Sequence, residues 1–131
     1  MSDCIRIFEI AIRRDELGEF EELSWDLVPL VDPKETLHLE PNGLPAVGTS
    51  VVPGMVLVGK IGKSKSYPTS RKPTSLELNA LSFDNLRRQF GGLWVDRAFR
   101  VPEGCFGEVA EAKMSAQDDG TPVAVIKLRI S

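Results

Sequence analysis

The architecture can be predicted from the stretch Val51-Val52-Pro53-Gly54-Met55-Val56-Leu57-Val58-Gly59-Lys60. Its β-branched and apolar residues favour a buried strand, Pro53-Gly54 is typical of a turn before that strand, and Gly59 suits a bulge or tight bend after it. A related pattern returns at Val101-Pro102-Glu103-Gly104-Cys105-Phe106-Gly107-Glu108-Val109. We interpret the two stretches as a weak internal repeat, in which two turn-and-strand units belong to one β-rich barrel or sandwich and the residues between them protrude.

Length and composition indicate one domain of modest size. The chain has 131 residues, of which 42% are hydrophobic, and this is enough for a single core. Its formal net charge of -3 excludes a generally basic nucleic-acid-binding protein. The N-terminus has no signal-peptide pattern, and no run of about 18 apolar residues occurs, so we expect a cytoplasmic protein without a membrane span. We expect Cys4 and Cys105 to be unpaired, small buried residues.

Both ends of the chain predict strands. Residues 4–13 alternate apolar and polar side chains with one slip at Phe8, which favours a half-buried strand with a bulge. Asp118-Asp119-Gly120 is typical of a hairpin turn, and residues 123–130 alternate as a strand that closes the fold. Asn42-Gly43 offers another turn. These signals predict a mainly β fold.

No catalytic or metal site is predicted. Six acidic residues lie between Asp15 and Asp26, but no histidine, metal-ligand spacing or nucleophile accompanies them, so we interpret the segment as a solvated face with a few hydrophobic anchors. His38 is the only histidine and cannot by itself build a zinc site or a catalytic triad. We expect it to be structural, and we expect no cofactor.

A basic stretch follows the central strand. Between Lys60 and Lys72 there are five cations and no anion, among Ser and Pro residues, which is typical of an exposed loop. Two interpretations remain open: a solvated loop tip, or a contact with the phosphate backbone of nucleic acid. The candidate nucleic-acid-binding residues are Lys60, Lys63, Lys65, Arg71 and Lys72.

A short helix is predicted over residues 83–90. Ser82 is a candidate N-cap, Asp84 suits the first turn, and Gly91-Gly92 ends the helix. A two-turn helix is marginal alone and must pack its apolar face on something. The pattern allows its own domain, which it favours, or a partner. The candidate contact residues are Phe83, Leu86, Arg87, Phe90, Leu93 and Trp94.

One motif suggests a different function. Glu111-Ala112-Lys113-Met114 resembles the lysine-methionine box that receives biotin in carrier domains, which are also small β sandwiches. However, Ala112 stands where a methionine is expected, and Lys113 precedes the predicted turn on which a biotin or lipoyl carrier would display it. A carrier is therefore the weaker alternative.

Several motifs occur in the same order as in one known family. The most specific is residues 53–60, which resembles the Pro-Gly-Asp-Ile-Leu-Val-Gly-Lys stretch of the bacterial RNA polymerase β subunit. Leu86-Arg87-Arg88-Gln89-Phe90-Gly91 is similar to the family's flap-tip sequence, Leu-Arg-Ala-Ile-Phe-Gly. The resemblance covers nearly the whole chain. The other similar motifs are Arg14-Asp15-Glu16-Leu17-Gly18, Glu21-Glu22-Leu23, Asp26-Leu27-Val28-Pro29, Asn42 to Gly48, and Arg100 to Val109.

The resemblance implies a binding function rather than catalysis. In the family, the flap lies beside the RNA exit channel, and its tip helix docks through apolar residues onto region 4 of the sigma factor and onto elongation regulators. Leu86 and Phe90 would then be the anchors. Gln89 departs from the family's apolar residue, and residues 63–73 differ from its short linker. The family's magnesium-binding aspartates belong to another subunit, so we expect no enzyme activity from this chain by itself.

Together, these observations predict one flap-like domain over residues 1–131. Its body, of the barrel-sandwich hybrid type, comprises residues 1–61 and 99–131, and a protruding flap arm with one short helix comprises residues 62–98. The expected partners are a sigma factor or transcription regulator, other RNA polymerase subunits, and nucleic acid through a weak contact. The alternatives are a carrier modified on Lys113 and a purely structural subunit of a larger complex.

Overall fold

The structure is a computed structural model that describes residues 4–26, 31–63, 74–80, 82 and 94–131. These residues form a mainly β fold with one short α-helix, which confirms the predicted class. The elements, in chain order, are β1 (Cys4–Ala11), β2 (Glu22–Leu23), a 3-10 turn (Pro33–Thr36), β3 (Ser50–Val51), β4 (Val56–Val58), β5 (Lys60–Lys63), α1 (Ser75–Ala80), β6 (Trp94–Asp96), β7 (Phe99–Arg100), β8 (Gly107–Ala116) and β9 (Pro122–Ile130).

The largest sheet has four antiparallel strands in the order β1-β9-β8-β3. The register between β1 and β9 runs without a shift from Cys4 opposite Ile130 to Ala11 opposite Val123. The predicted bulge at Phe8 was therefore wrong: Phe8 shares a face with the buried Ile10, whereas Ile5 and Ile7 lie on the opposite, exposed face. The only register shift in these ladders lies between Val109 and Glu111 of β8.

The turn that joins β8 to β9 was predicted correctly. The amide of Gly120 donates to the carbonyl oxygen of Gln117 over 2.9 Å, and Gly120 has a φ of 87°. A side chain at this φ would be strained, so glycine suits the position. The hairpin places the two longest strands of the described chain next to each other in the large sheet.

Gly59 is the point at which the central stretch changes sheets. β4 pairs with β7, whereas β5 pairs with β2 and β6, so the predicted strand is divided at the predicted bend. The backbone of Ser24 lies so close that a Cβ on Gly59 would come within 2.1 Å of its carbonyl oxygen. Only glycine allows the two backbones to approach in this way.

The two turns of the internal repeat, Pro53-Gly54 and Pro102-Glu103-Gly104, lie side by side. Gly54 and Gly104 both have positive φ angles, of 89° and 80°. The amide of Gly54 donates to the Val101 carbonyl, and the amide of Val101 donates to the Met55 carbonyl, each over 2.8 Å. The two related stretches are therefore joined to each other by hydrogen bonds.

The main core lies between the large sheet and the central stretch. Leu57, Val109, Ile126 and Leu128 are completely buried in it. Cys105 is also buried, and the Sγ atom of its free thiol lies 2.8 Å from Nη1 of Arg6.

The predictions for Cys4 and His38 can also be compared with the structure. Cys4 is exposed, so the expectation that it would be buried was wrong, although both cysteines are unpaired as expected. The Nε2 atom of His38 lies 2.6 Å from the carbonyl oxygen of Val56. Because a carbonyl only accepts, Nε2 must carry the hydrogen, and His38 fastens its own segment to β4.

Candidate functional site

The segment of residues 64–93, which joins β5 to β6, is called the insertion below. β5 ends at Lys63, β6 begins at Trp94, and these two residues lie opposite each other in an antiparallel pair. Both ends of the insertion are therefore attached at one point. Within the insertion, the structure describes residues 74–80, which include α1, and Ser82.

Most of the predicted contact residues lie outside the described residues. This holds for Phe83, Leu86, Arg87, Phe90 and Leu93, and with them for the predicted helix over residues 83–90. Trp94 is described through its backbone, as the first residue of β6. The partner-binding surface therefore stays a prediction, and so do the arm boundaries at residues 62 and 98.

The five basic candidates are not brought together as one exposed patch. Lys65, Arg71 and Lys72 lie outside the described residues. Lys60 is only 7% exposed, and its ammonium group is held by a carboxylate, so we remove it from the exposed nucleic-acid-binding residues. Lys63 is partly exposed and is paired with Glu19.

Where the insertion joins β5 and β6 lies a cluster of charged side chains connected by hydrogen bonds and ion pairs, which we call the charged base. Its members come from the loop between β1 and β2, from β5, and from the residue after β6. They are Asp15, Glu19, Glu21, Lys60, Lys63 and Arg97.

Glu21 is the central acceptor of the charged base. Its side chain is 1% exposed, and its Oε1 atom accepts from Lys60 Nζ over 2.7 Å and from the Arg13 amide over 2.8 Å. Oε2 lies 3.5 Å from Nη1 of Arg97. A buried carboxylate is tolerated only when both oxygens are paired in this way. Glu21 thereby ties the loop before β2 to β5 and to the chain that follows β6.

Asp15 fastens the same loop to the last residue of β5. Its Oδ1 atom accepts from the amides of Leu17 and Glu19 over 2.9 and 3.1 Å, and Oδ2 accepts from the Lys63 amide over 3.0 Å. Burial is the largest single influence on Asp15 and raises its pKa, but the three amide donors together outweigh it. The pKa of Asp15 is therefore lowered, and the carboxylate stays ionised at neutral pH.

The side chains of Lys63 and Glu19 close the charged base on its solvent side. Lys63 Nζ donates a hydrogen bond to Glu19 Oε2, and this bond raises the pKa of Lys63. Gly62 lies underneath, where a Cβ would come within 2.9 Å of Cβ of Asp15. Charge and close packing therefore act together to fix the end of β5.

The buried carboxylates correct one sequence-based interpretation. The acidic segment was expected to be a solvated face, but Asp15 and Glu21 are only 8% and 5% exposed. One signal was present in the sequence: Gly18 follows Asp15 after two residues, which is compatible with a tight loop around an aspartate. Their partners, Lys60 and Lys63, are 39 and 48 residues away, and no local pattern indicates them.

The arrangement is suited to holding position rather than to chemistry. The oxygens of Asp15 and Glu21 are engaged by hydrogen-bond donors. In the described ranges, no group of three or more His, Cys, Asp or Glu side chains could hold a metal ion. No helix in the part that the structure describes is long and apolar enough to cross a membrane.

The carrier alternative gains no support from the position of Lys113. This residue lies within β8, opposite Val125, and its ammonium group is 3.3 Å from Glu111. The hairpin turn, where a carrier would display its modified lysine, lies at residues 117–121.

The fold and the charged base define a class of protein: a small mainly β domain with an insertion anchored at one point. Comparison of the sequence with known proteins identifies the domain as homologous to a region of the β subunit of DNA-directed RNA polymerase. The subunit from Desulfosudis oleivorans is 34% identical over 110 residues, and that from Methylacidiphilum infernorum is 36% identical over 112 residues. A β subunit from Bartonella quintana is 34% identical over 113 residues.

These alignments cover 83–84% of the chain but only 7–8% of the three relatives. The chain thus spans less than a tenth of the length of these relatives. No family model matches the chain.

Proposed function

We propose that this chain is a non-catalytic binding module of the transcription machinery. It corresponds to the flap of the RNA polymerase β subunit and presents the apolar residues of its insertion to a sigma factor or a transcription regulator. The observation that carries the proposal is the identity of about a third with polymerase β subunits over five-sixths of the chain. Such a module works in the cytoplasm beside other polymerase subunits.

The charged base supports this proposal in mechanical terms. A binding arm loses less conformational freedom on docking when its root is already fixed. Here, β5 and β6 are paired with each other, and Asp15 and Glu21 bind β5 to the body. The insertion is therefore attached to a rigid platform at both ends.

The contact itself is assigned to Phe83, Leu86 and Phe90, with Arg87, Leu93 and Trp94 beside them. Apolar residues at positions i, i+3 and i+7 share one face of a helix, and such a face can lie in an apolar groove of a partner. Phe90 is the preferred anchor because buried aromatic side chains carry much of the energy of protein interfaces.

A charge reversal at Phe90 tests the contact. Phe90→Glu should reduce binding to sigma region 4, measured by calorimetry with the purified domain, by at least about 30-fold, which corresponds to about 2 kcal/mol. The control is Leu37→Glu, because Leu37 is 83% exposed and lies on the body. Circular dichroism should show both variants folded. Equal binding by Phe90→Glu and the parent protein would refute the assignment.

The nucleic-acid contact is assigned to Lys65, Arg71 and Lys72. Reversing all three to Glu should weaken binding to a single-stranded RNA oligonucleotide and lower the salt-dependence slope by about 2, since each phosphate contact contributes roughly 0.7. A charge-matched control reverses Lys34, Lys113 and Arg129, which are exposed elsewhere. The same loss of affinity in both triple variants would show an effect of overall charge and contradict the assignment.

A further inference from the structure

The outer edge of β1 is not used by the proposed binding function. β1 is the first strand of the large sheet and pairs with β9 on one side. On its other side, no strand of the described residues pairs with it. The edge is eight residues long, from Cys4 to Ala11.

The direction of the backbone groups on this edge can be deduced from two hydrogen bonds. The Ile12 amide donates to Pro122 at the start of β9, whereas the Ala11 carbonyl points the other way and lies 3.5 Å from Lys60 Nζ. Backbone groups alternate sides along a strand. The N–H and C=O groups of Ile5, Ile7 and Glu9 therefore point towards the open edge.

The side chains of the edge are also open to a partner. Ile5 and Ile7 are 46% and 53% exposed and lie on the same face. Natural sheets commonly block an edge with Lys, Pro or a bulge. β1 contains neither Lys nor Pro, its two charged residues Arg6 and Glu9 have opposite signs, and its ladder with β9 has no register shift. Backbone groups that pair with no strand of the described ranges, beside exposed isoleucines, favour the addition of another strand.

We infer that β1 pairs antiparallel with β1 of a second copy of this chain, with the two-fold axis at Ile7. In this register, Ile7 faces Ile7 of the second copy, and the three residues with outward backbone groups form about six intermolecular hydrogen bonds. The two four-stranded sheets then join into one sheet of eight strands.

The charges of β1 favour this register over its neighbours. With the axis at Ile7, Ile5 faces Glu9 and Arg6 faces Phe8, so no like charges meet. Moving the axis to Arg6 or to Glu9 would place two identical charges directly opposite each other, which destabilises a strand pair. An axis at Phe8 would require the Ala11 carbonyl, which already accepts from Lys60. The sequence of β1 is thus self-complementary about Ile7, and this is why the inferred partner is a second copy.

Sedimentation velocity of the 131-residue protein over a range of concentrations tests the pairing. The parent protein should dimerise, whereas Ile7→Lys and Ile7→Glu should each be monomers, because like charges then meet at the axis. An equimolar mixture of the two variants should restore a heterodimer. Val47→Lys is the control, since Val47 is 69% exposed and lies outside β1, and it should dimerise like the parent protein. Circular dichroism should show all variants folded.

Cysteine cross-linking tests the register. In a Cys4→Ser background, Ile7→Cys should form an intermolecular disulfide when oxidised with copper phenanthroline. The parent protein should not cross-link through Cys4, because the two copies of Cys4 would lie about 20 Å apart at about 3.4 Å per residue. Efficient cross-linking through Cys4 would overturn the register.

Two results would overturn the inferred dimer altogether. One is a parent protein that stays monomeric at about 1 mM, which would leave the edge for a strand of another protein. The other is an Ile7→Lys variant that is folded and dimerises as strongly as the parent protein.

Discussion

At the scale of single residues, Glu21 concentrates the interactions of the charged base. Among the described residues, truncation by Glu21→Ala would leave the buried ammonium of Lys60 with only the Ala11 carbonyl, 3.5 Å away. Breaking a buried ion pair in this way should lower the free energy of unfolding by about 3–5 kcal/mol, measured by urea denaturation at pH 7. The control is Glu111→Ala, which removes exposed contacts with Lys113 and Lys127 and should have a much smaller effect.

The double variant Glu21→Leu, Lys60→Met separates the cost of an unpaired buried charge from the loss of the ion pair itself. Replacing both partners removes the unpaired charge, so most of the stability should return. A loss below about 1 kcal/mol in Glu21→Ala would contradict the assigned role of Glu21.

Asp15 gives the charged base a defined dependence on pH. Its pKa is lowered from 3.8, so the unfolded chain binds the proton more readily than the folded one. The stability from Asp15 is therefore present above the unfolded pKa and is lost as pH falls through the folded pKa. Between pH 6 and pH 2, the urea midpoint of the parent protein should fall more steeply than that of Asp15→Asn. Parallel curves would show that Asp15 contributes nothing specific.

At the scale of elements, the change of sheet at Gly59 depends on close contact between backbones. Gly59→Ala would place a Cβ 2.1 Å from the Ser24 carbonyl oxygen, which should destabilise the fold by about 3 kcal/mol. Gly18→Ala is the matched control: Gly18 has a φ of 80° but no atom within 4 Å of an added Cβ. Its loss, from backbone strain alone, should be about 1 kcal/mol. Thermal denaturation that ranks the two variants equally would disprove the packing argument.

The helix α1 is stabilised by its cap rather than by burial. The Thr74 amide donates to Glu77 Oε1 over 3.0 Å, and the Glu77 amide donates to Thr74 Oγ1 over 3.3 Å, which forms a capping box. None of its six residues is buried. Because so short a helix is marginal alone, its amides should exchange with deuterium much faster than those of β9. Equal protection in hydrogen-exchange mass spectrometry would show that a further contact holds α1.

At the scale of the whole molecule, local sequence signals predicted the turns and bends that depend on the conformational preferences of a few neighbouring residues. The turn at residues 118–120 and the bend at Gly59 were predicted correctly because Gly and Asp have strong conformational preferences. The bulge at Phe8 was wrong because an apolar residue on the inner face was taken for a break in alternation. Burial in the charged base was missed because it depends on charges that meet only in the folded chain. The helix α1 was not predicted for another reason: its capping box of Thr74 and Glu77 is a local signal, but the helix carries no apolar stripe.

The candidate site shows the same difference between local signals, which the sequence reveals, and long-range contacts, which it does not. Apolar periodicity predicted a short helix and favoured packing on its own domain, and only the resemblance to the polymerase flap implied a partner. Nothing in the sequence indicated that Lys60 is buried against Glu21, 39 residues away. The sequence alone does not distinguish a buried lysine from an exposed one, and only the folded sheet shows that Lys60 is buried. Residues 62 and 98 were predicted as arm boundaries from the internal repeat and the resemblance to the flap, and a deletion can test this division directly.

The body should fold without its insertion. Lys63 and Trp94 already lie opposite each other in the β5–β6 pair, so replacing residues 64–93 by Asn-Gly should close a two-residue hairpin. The charged base and the core lie outside the deleted segment, so the melting temperature should change by no more than about 5 °C, which corresponds to about 1 kcal/mol. Calorimetry and NMR chemical shifts of β8 and β9 measure this. The shortened protein should no longer bind sigma region 4, and it should keep the dimer formed through β1. An unfolded product would show that the insertion is part of the core rather than an arm attached to it.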